Sequence, residues 1–325
     1  MSIYCYSDLL RTKTPNLNNS NEFADYIELV CLASNDAEVS VADILDFLND
    51  NMRDLKTDVE NIPNDRLTKR DNKTHIIKEC FKYIEKRKDS FGVYYPFNIS
   101  DGNSISINTE KLTNPEKLYI YLLFCSNLKY INRHDSPFFT SYFELLSKKA
   151  ISYIVNNTFR IYLVGKGAAS DPEFALGSKK EKFNKIMNLC CWKPGNGFDD
   201  IPEKDVGEGG IDILAIGPSF EKVSNNFVYI AQCACTAEWE NKQLHISIDS
   251  LSRFFCINHS YIQIIIIPLM FRNLENDWYQ KHRLAAGVLI DRLKLLKYLP
   301  CDDCYNCITS HDILKKYIRE KISIF

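Results

Sequence analysis

Residues 207–216 read GEGGIDILAI, and residues 227–235 read FVYIAQCAC. Both runs are short, apolar and rich in branched side chains, which is typical of buried strands. Each carries one polar side chain within its apolar stretch, Asp212 in the first run and Gln232 in the second. Because a turn over residues 218–226 separates the runs, the pattern predicts two neighbouring antiparallel strands that hold Asp212 and Gln232 on one face of a sheet.

The amide of Gln232 indicates that this pair has a function. Burying an amide in an apolar strand costs free energy unless its oxygen and nitrogen find partners. A metal ion bound by both Gln232 and Asp212 would supply such a partner. Ten residues beyond Gln232, on a predicted helix, Lys242 has a side chain long enough to reach back over the sheet edge. A solvated Lys242 and a satisfied core amide are the structural alternatives.

The elements around this pair predict the fold class. A helix is expected over Ser178–Leu189, and a largely helical segment over Trp239–Phe255. The isoleucine-rich run Tyr261–Leu269 is typical of a strand buried on both faces. A long helix is expected over Trp278–Leu299. This order predicts an α/β (α+β) protein whose central mixed sheet is flanked by helices.

The first half of the chain has mainly helical patterns. Apolar residues recur at helical spacing in Asn19–Ser34, and Tyr142–Val155 is another predicted helix. Glycine and proline punctuate the chain near residue 165. We therefore expect a mostly helical region at 1–165, which senses a trigger or binds a partner, and a second domain at 166–325.

The segment Gly209–Asp212 and the later Gln232 resemble the restriction-endonuclease-like PD-(D/E)xK superfamily, in the branch written Gly-Gly-x-Asp and then Gln-x-Lys. The resemblance covers roughly residues 175 to 270. A subgroup of uncharacterised bacterial proteins is also similar, with a Gln-Cys-Ala segment followed by Trp and by a Lys ten positions after the Gln. One position departs from the pattern, because Ala234 stands where the motif lysine belongs. Either the cation has moved to Lys242, or the site is inactive.

The resemblance implies Mg²⁺, or Mn²⁺, as the cofactor. Asp212 would bind the metal, together with the side-chain oxygen of Gln232 and the backbone carbonyl of Cys233. Lys242 would orient the attacking water or meet the phosphate charge. Magnesium suits such a site because it takes oxygen ligands and keeps several waters.

A further carboxylate in this superfamily usually comes from the helix before the strands. Glu181, near the start of the helix predicted over Ser178–Leu189, is the chosen candidate, with Glu173 and Glu208 as alternates. Glu181 lies in a charged run, so an exposed helix face is the competing interpretation.

Taken together, these features predict a metal-dependent nuclease that hydrolyses phosphodiester bonds. DNA is the expected substrate and RNA the less favoured one, by analogy of fold. The resemblance further implies a bacterial effector that acts against phage or plasmids, with a partner protein from a defence operon and possible homo-oligomers. The rival hypothesis is an inactive nuclease-fold module that binds nucleic acid or a partner subunit.

Composition sets limits on location and partners. The formal net charge is -2, which argues mildly against a nucleic-acid binder, although only the local field at a groove matters. No signal peptide or membrane-spanning run is predicted. The chain has 12 cysteines, which we interpret as reduced thiols in a cytoplasm.

A possible zinc ligand set lies near the C-terminus and consists of Cys301, Cys304, Cys307 and His311. Zinc sites usually present two separated pairs of ligands, and no second pair lies nearby in the sequence. We predict that this cluster is metal-free.

Overall fold

The structure is a computed structural model of the chain. It describes residues 9–11, 13, 15–51, 66–155, 158–165, 171–218, 227–236, 238–285, 287–299 and 305–321. Within these ranges, no helix is both long enough and apolar enough to cross a membrane. In chain order the elements are α1 (Ser20–Ala33), β1 (Glu38–Ser40), α2 (Val41–Asn51), α3 (Arg66–Phe91), β2 (Phe97–Ser100), β3 (Ser104–Ile107), α4 (Asn114–Cys125), α5 (Ser136–Ile154), β4 (Arg160–Leu163), α6 (Lys179–Cys190), β5 (Lys193–Pro194), β6 (Ile213–Ile216), β7 (Val228–Cys233), α7 (Trp239–Lys242), α8 (Ile248–Ser252), β8 (Phe255–Cys256), β9 (Ile262–Ile266), β10 (Val288–Ile290), α9 (Arg292–Tyr298), α10 (Asn306–Thr309) and α11 (Asp312–Arg319).

The chain forms two compact units. One comprises Met1–Ser136, Phe271–Tyr279 and Cys301–Phe325, and the other comprises Pro137–Met270 and Gln280–Pro300. The boundary expected near residue 165 falls inside the second unit. The reason is that α5 belongs with the later sheet, where it supplies a buried carboxylate described below.

The first unit is mainly helical, with a small antiparallel sheet of order β1-β3-β2. α1 begins after Asn19, whose side chain accepts hydrogen bonds from the backbone N–H groups of Asn21 and Glu22. The apolar residues that predicted this helix, including Phe23 and Ile27, are fully buried, so the helix predicted over Asn19–Ser34 is confirmed.

An ionic cluster lies within the core of the first unit. Arg87 of α3 pairs with Asp25 (2.7 Å) and with Glu28 (2.9 Å) of α1, and all three side chains are completely buried. The hydroxyls of Tyr95 and Tyr119 donate hydrogen bonds to Glu28. Buried charges persist only when they are paired and hydrogen-bonded, so this cluster fixes how α1 and α3 pack.

The second unit is built on a five-stranded mixed sheet of order β10-β9-β7-β6-β4. β4, β6 and β7 are successively antiparallel, whereas β7, β9 and β10 run parallel. The isoleucine-rich β9 lies between two parallel neighbours, and Ile264 to Ile266 are buried. The predicted fold class, a mixed sheet flanked by helices, is confirmed.

The long helix predicted over Trp278–Leu299 is wrong. The segment instead contains a short 3-10 turn at Lys281–Arg283, the edge strand β10, and the short helix α9. Gly287 has φ 130° and a Cβ there would lie 2.9 Å from the carbonyl oxygen of Gln263, so only glycine allows β10 to approach β9 this closely. Parallel pairing with β9 outweighs the local helical pattern.

Candidate functional site

Asp212 lies directly before β6, where three strands meet. Its backbone N–H donates to the carbonyl oxygen of Ala231 in β7 (3.0 Å), and its own carbonyl oxygen accepts from the N–H of Val164 beyond β4 (2.9 Å). The carboxylate oxygen Oδ2 accepts a hydrogen bond from the backbone N–H of Cys233 (2.7 Å). Asp212 is only 6% exposed. The carboxylate is therefore held in place at the end of the central strands.

The strand pairing expected from the sequence is confirmed, because β6 and β7 are antiparallel neighbours with Ile213 opposite Ala231. The N–H and C=O groups of Asp212 point to different neighbouring strands, so Asp212 is not a regular strand residue. Alternation along a strand therefore does not set the direction of its side chain. The shared face for Asp212 and Gln232 stays a prediction, and in the described part of the chain their side chains form no hydrogen bond with each other.

A second buried carboxylate, which the sequence pattern did not indicate, borders Asp212. It is Glu144 of α5, which is 6% exposed. A Cβ at Gly165 would lie 2.5 Å from Oδ1 of Asp212 and 2.9 Å from Oε2 of Glu144. The two carboxylates thus flank one glycine, and no larger residue fits between them.

The electrostatics of this pair are unfavourable without a counter-charge. Burial is the main cause that raises the pKa of Asp212 well above its ordinary value, and the charge of Glu144 is the second. The hydrogen bond from Cys233 and the charge of Lys242 act in the opposite direction. Two buried carboxyl groups this close do not both ionise cheaply, so a shared proton or a bound cation would stabilise the pair.

Gln232 lies on β7 beside the same strand ends and is 5% exposed. Its side-chain oxygen is buried and has no hydrogen-bond partner among the described residues. A Cβ at Gly210 would lie 3.3 Å from its Nε2 atom, so the amide lies against the turn that leads into Asp212. An unpaired buried oxygen costs free energy, and a ligand at this position would recover it.

Lys242 ends α7, a single helical turn rather than part of the longer helical segment expected over Trp239–Phe255. Among the causes that act on the pKa of Asp212, the charge of Lys242 is the weakest. Lys242 forms no ion pair with any residue in the described ranges. The expected position of its ammonium within a few ångströms of Asp212 therefore stays a prediction.

The structure does not bring Glu181 to Asp212. Glu181 forms a capping box with Ser178 at the start of α6, where its carboxylate accepts a hydrogen bond from the Ser178 N–H (2.6 Å). This contact lowers the pKa of Glu181, which is fully exposed. The capping motif that marks the start of the helix explains the acidic residue without any metal.

The two alternate candidates for the further carboxylate, Glu173 and Glu208, differ in position. Glu173 is exposed, and its backbone N–H donates to the side chain of Asp171. Glu208 is half-buried, and its charge is among the causes that raise the pKa of Asp212. Glu208 therefore lies at the rim of the site, whereas Glu144 lies within it.

A signal for Glu144 was present in the sequence. It sits between the apolar residues Phe143 and Leu146 on the core-facing side of α5, where an ordinary surface helix carries no charge. A carboxylate on the buried side of a helix is uncommon unless it has a partner. The domain boundary expected near residue 165 placed this helix in the other domain, and so Glu144 was not considered.

The donor set suits a hard divalent cation. In the described part of the chain, no group of three or more His, Cys, Asp and Glu side chains is placed to hold a metal ion. The Glu144–Asp212 pair offers two carboxylates, and Gln232 adds an unpaired neutral oxygen. Magnesium needs few protein ligands because it keeps several waters, so this set fits Mg²⁺ or Mn²⁺ and lacks the thiolates and imidazoles of zinc sites.

Among the described residues, the cysteines belong to no group that could hold a metal ion. Cys190, Cys233 and Cys235 are buried, as expected for small apolar side chains. Cys307 is exposed. Cys301 and Cys304 lie outside the described residues, so the metal-free state of that cluster stays a prediction.

Comparisons with known proteins supply no relatives. No protein-family model matches this chain, and no curated protein or solved structure gives a significant match. The function must therefore be argued from the geometry of the site itself.

Proposed function

We propose that the second unit is a metal-dependent nuclease that hydrolyses phosphodiester bonds, with DNA as its substrate. The observation that supports this most is the pair of buried carboxylates, Glu144 and Asp212, on either side of Gly165. One comes from the helix before the first strand of the sheet and the other from the strand junction. That is the arrangement that the resemblance to restriction-endonuclease-like proteins implies.

Glu144 and Asp212 would hold the cation, with the side-chain oxygen of Gln232 and the carbonyl of Cys233 as neutral ligands. A bound Mg²⁺ or Mn²⁺ supplies charge for the phosphoryl oxygens and lowers the pKa of a water. The N–H of Cys233 fixes the orientation of the Asp212 carboxylate (2.7 Å), so little reorganisation accompanies the reaction. Lys242 would meet the phosphate as a point charge. It would replace the motif lysine, whose position in this chain is occupied by Ala234.

Two observations support this role for Lys242. Its charge is among the causes that lower the pKa of Asp212, although the weakest of them, and it has no ion-pair partner among the described residues. If Lys242 instead faces solvent and the folded protein cleaves nothing, the rival hypothesis of an inactive nucleic-acid-binding module gains support. A role in bacterial defence is the wider expectation that the family resemblance carries, and it belongs to the same proposal.

The test is cleavage by the purified full-length protein. Plasmid DNA and an RNA of similar length are incubated with Mg²⁺, with Mn²⁺ and with EDTA, using wild type and Asp212→Asn. We expect nicking of the plasmid that requires the metal and is lost in Asp212→Asn. Absence of any metal-dependent cleavage, with the protein folded, would favour the inactive module. Cleavage of RNA alone would correct the substrate.

A further inference from the structure

Lys182 is a buried cation of α6 whose ammonium lies beside the strand junction that holds Asp212. It is 9% exposed, and it lies on the buried side of the helix together with Phe183, Ile186 and Met187. A lysine on the core-facing side of a helix is uncommon unless its ammonium has a partner. The partner of Lys182 therefore indicates what this residue does.

The ammonium of Lys182 donates a hydrogen bond to the backbone carbonyl of Val164 (3.2 Å), and this contact is buried. Within the described ranges it has no other hydrogen bond, and no carboxylate lies within ion-pair distance of it. A buried cation with a single neutral acceptor contributes little stability by itself, because burial removes the water that would solvate its charge. An apolar side chain would serve a purely structural role at least as well.

Val164 and Gly165 connect this lysine to the carboxylate pair. The backbone N–H groups of Val164 (2.9 Å) and Gly165 (3.3 Å) both donate to the carbonyl oxygen of Asp212. A Cβ at Gly165 would overlap the carboxylates of Asp212 and Glu144, so both groups lie against its Cα. The residue that Lys182 binds is thus the direct neighbour of the glycine between the two carboxylates.

The peptide group between Val164 and Gly165 is held from both sides. It is planar and trans, so its C=O and N–H groups point in opposite directions. Lys182 binds the oxygen, and the carbonyl of Asp212 accepts from the N–H. Because the Cα of Gly165 belongs to this plane, any rotation of the plane would move that Cα relative to the two carboxylates.

We infer that Lys182 is a positioning residue of the metal site, which sets the spacing of the Glu144 and Asp212 carboxylates through the peptide group between Val164 and Gly165. The inference rests on the proposed function, because it concerns how the same site holds its cation. Groups that orient metal ligands from outside the coordination sphere commonly contribute about 10- to 100-fold to metal affinity or activity. Lys182 needs no contact with the cation or with the substrate for this role.

The first experiment measures the binding of Mn²⁺ in the absence of nucleic acid, by electron paramagnetic resonance of the free ion. Full-length wild type is compared with Lys182→Met, which keeps the length of the side chain but has no donor. A third protein, Lys182→Arg, keeps both a donor and the charge. Lys182→Met should raise the Kd for Mn²⁺ by about tenfold or more, and Lys182→Arg should restore most of the affinity.

Lys185→Met is the matched control on the same helix. The ammonium of Lys185 also donates to a backbone carbonyl, that of Glu173, so this substitution removes the same kind of bond. It should leave the Kd for Mn²⁺ at the wild-type value. Melting temperatures in EDTA show whether each variant is folded. A residue that only stabilises the fold would change this temperature and leave the affinity for Mn²⁺ unchanged.

A variant of Lys182 that is polar but shorter covers the case in which Lys182→Met does not fold. Lys182→Gln has an amide that is one bond shorter, which places its nitrogen away from the Val164 carbonyl. It should therefore show the same loss of affinity for Mn²⁺. Wild-type affinity in a folded Lys182→Gln would overturn the positioning role.

The second experiment measures DNA cleavage at increasing concentrations of Mn²⁺. In Lys182→Met, the concentration that gives half of the maximal rate should rise by the same factor as the Kd for Mn²⁺. The KM for DNA should stay near the wild-type value, since Lys182 does not touch the substrate. A rise in KM without a change in the Mn²⁺ dependence would show that Lys182 acts on the substrate instead, and would overturn the inference.

The two experiments separate this inference from the proposed function. If the protein cleaves DNA but Lys182→Met binds Mn²⁺ as wild type does, the positioning role is wrong and the nuclease proposal stands. If Lys182→Met loses affinity for Mn²⁺ but wild type cleaves no DNA, the positioning role is right and the nuclease proposal is wrong. An equal loss of affinity in Lys185→Met would overturn the specific role of Lys182. A wild type that binds no Mn²⁺ would overturn both proposals.

Discussion

Gly165 is the residue on which the geometry of the site depends most directly. Both carboxylates approach its Cα, and a methyl group there would overlap Oδ1 of Asp212 at 2.5 Å. The contact involves the ends of two buried side chains that have little room to move, since Oδ2 of Asp212 is held by Cys233. This glycine is therefore required by close approach, whatever its backbone conformation.

We expect Gly165→Ala to abolish metal-dependent cleavage. The added methyl group pushes the carboxylates apart, and a displacement of about 1 Å can cost on the order of a hundredfold in rate. The measurement is the cleavage rate together with the rise in melting temperature that Mn²⁺ causes. Both should fall together. A variant that cleaves at the wild-type rate would show that the two carboxylates do not act as one site.

Asp212→Asn should stabilise the metal-free protein while it removes activity. Asparagine keeps an oxygen that accepts from the Cys233 N–H but removes one of two buried like charges. We expect the free energy of unfolding in EDTA to rise by on the order of 1 kcal/mol, as for other substitutions that relieve a strained site. Chemical denaturation at neutral pH measures it. A lower stability than wild type would mean that the two carboxylates do not repel each other.

The same pair predicts the sign of a pH effect. Because the folded-state pKa of Asp212 is raised above the ordinary value of 3.8, its protonated form is favoured in the folded protein. The stability it contributes is full below that ordinary value and is lost as the pH rises through the raised pKa. In EDTA, wild type should therefore lose stability over this range relative to Asp212→Asn, which lacks the titrating group. Parallel stability curves for the two proteins, measured by urea denaturation across this pH range, would contradict the raised pKa.

At the scale of elements, the strands were more predictable than the helices around them. The sequence predicts β6, β7 and β9 because each is a short apolar run bounded by turns. Such a run is sufficient to predict a strand that is buried in a sheet. The helix expected over Trp278–Leu299 failed because β10 is defined by pairing with β9, which a local pattern does not contain. Likewise, α5 was predicted as a helix, but its assignment to the second unit depends on contacts distant in sequence.

The packing of α1 against α3 offers a prediction at this scale. Arg87→Met should destabilise the first unit by about 3–5 kcal/mol, because it leaves Asp25 and Glu28 buried without their cation. Lys88→Met is the matched control, since Lys88 is the exposed neighbour on the same helix. It should change stability little. Urea denaturation followed by circular dichroism distinguishes the two variants, and equal stabilities would contradict a structural role for the cluster.

For the whole molecule, the net charge does not test the proposed function. A formal net charge of -2 argues against nucleic-acid binding only if the charges are spread evenly. Unlike the buried Arg87, Lys242 forms no ion pair with any residue that the structure describes. The local charge beside the site is therefore more informative than the total.

The sequence singles out Asp212 and Gln232, both buried in the structure, because each interrupts an apolar run. The sequence also places Glu144 on the apolar side of a helix, but it does not place that helix beside Asp212, because the two residues are far apart in the chain. The acidic residue chosen in its place, Glu181, belongs to a capping box, a local motif that produces the same residue type for a different physical reason. Distinguishing the two required the position of each helix relative to the sheet.

The most direct test of the central claim is the rate of Mg²⁺-dependent DNA cleavage by Glu144→Gln compared with Glu181→Gln. Glutamine at position 181 preserves the capping box, so both substitutions remove one negative charge and keep a similar shape. We predict that Glu144→Gln lowers the rate by about a hundredfold or more, with no loss of melting temperature, while Glu181→Gln cleaves like wild type. Full activity in Glu144→Gln, or loss of activity in Glu181→Gln instead, would contradict the account.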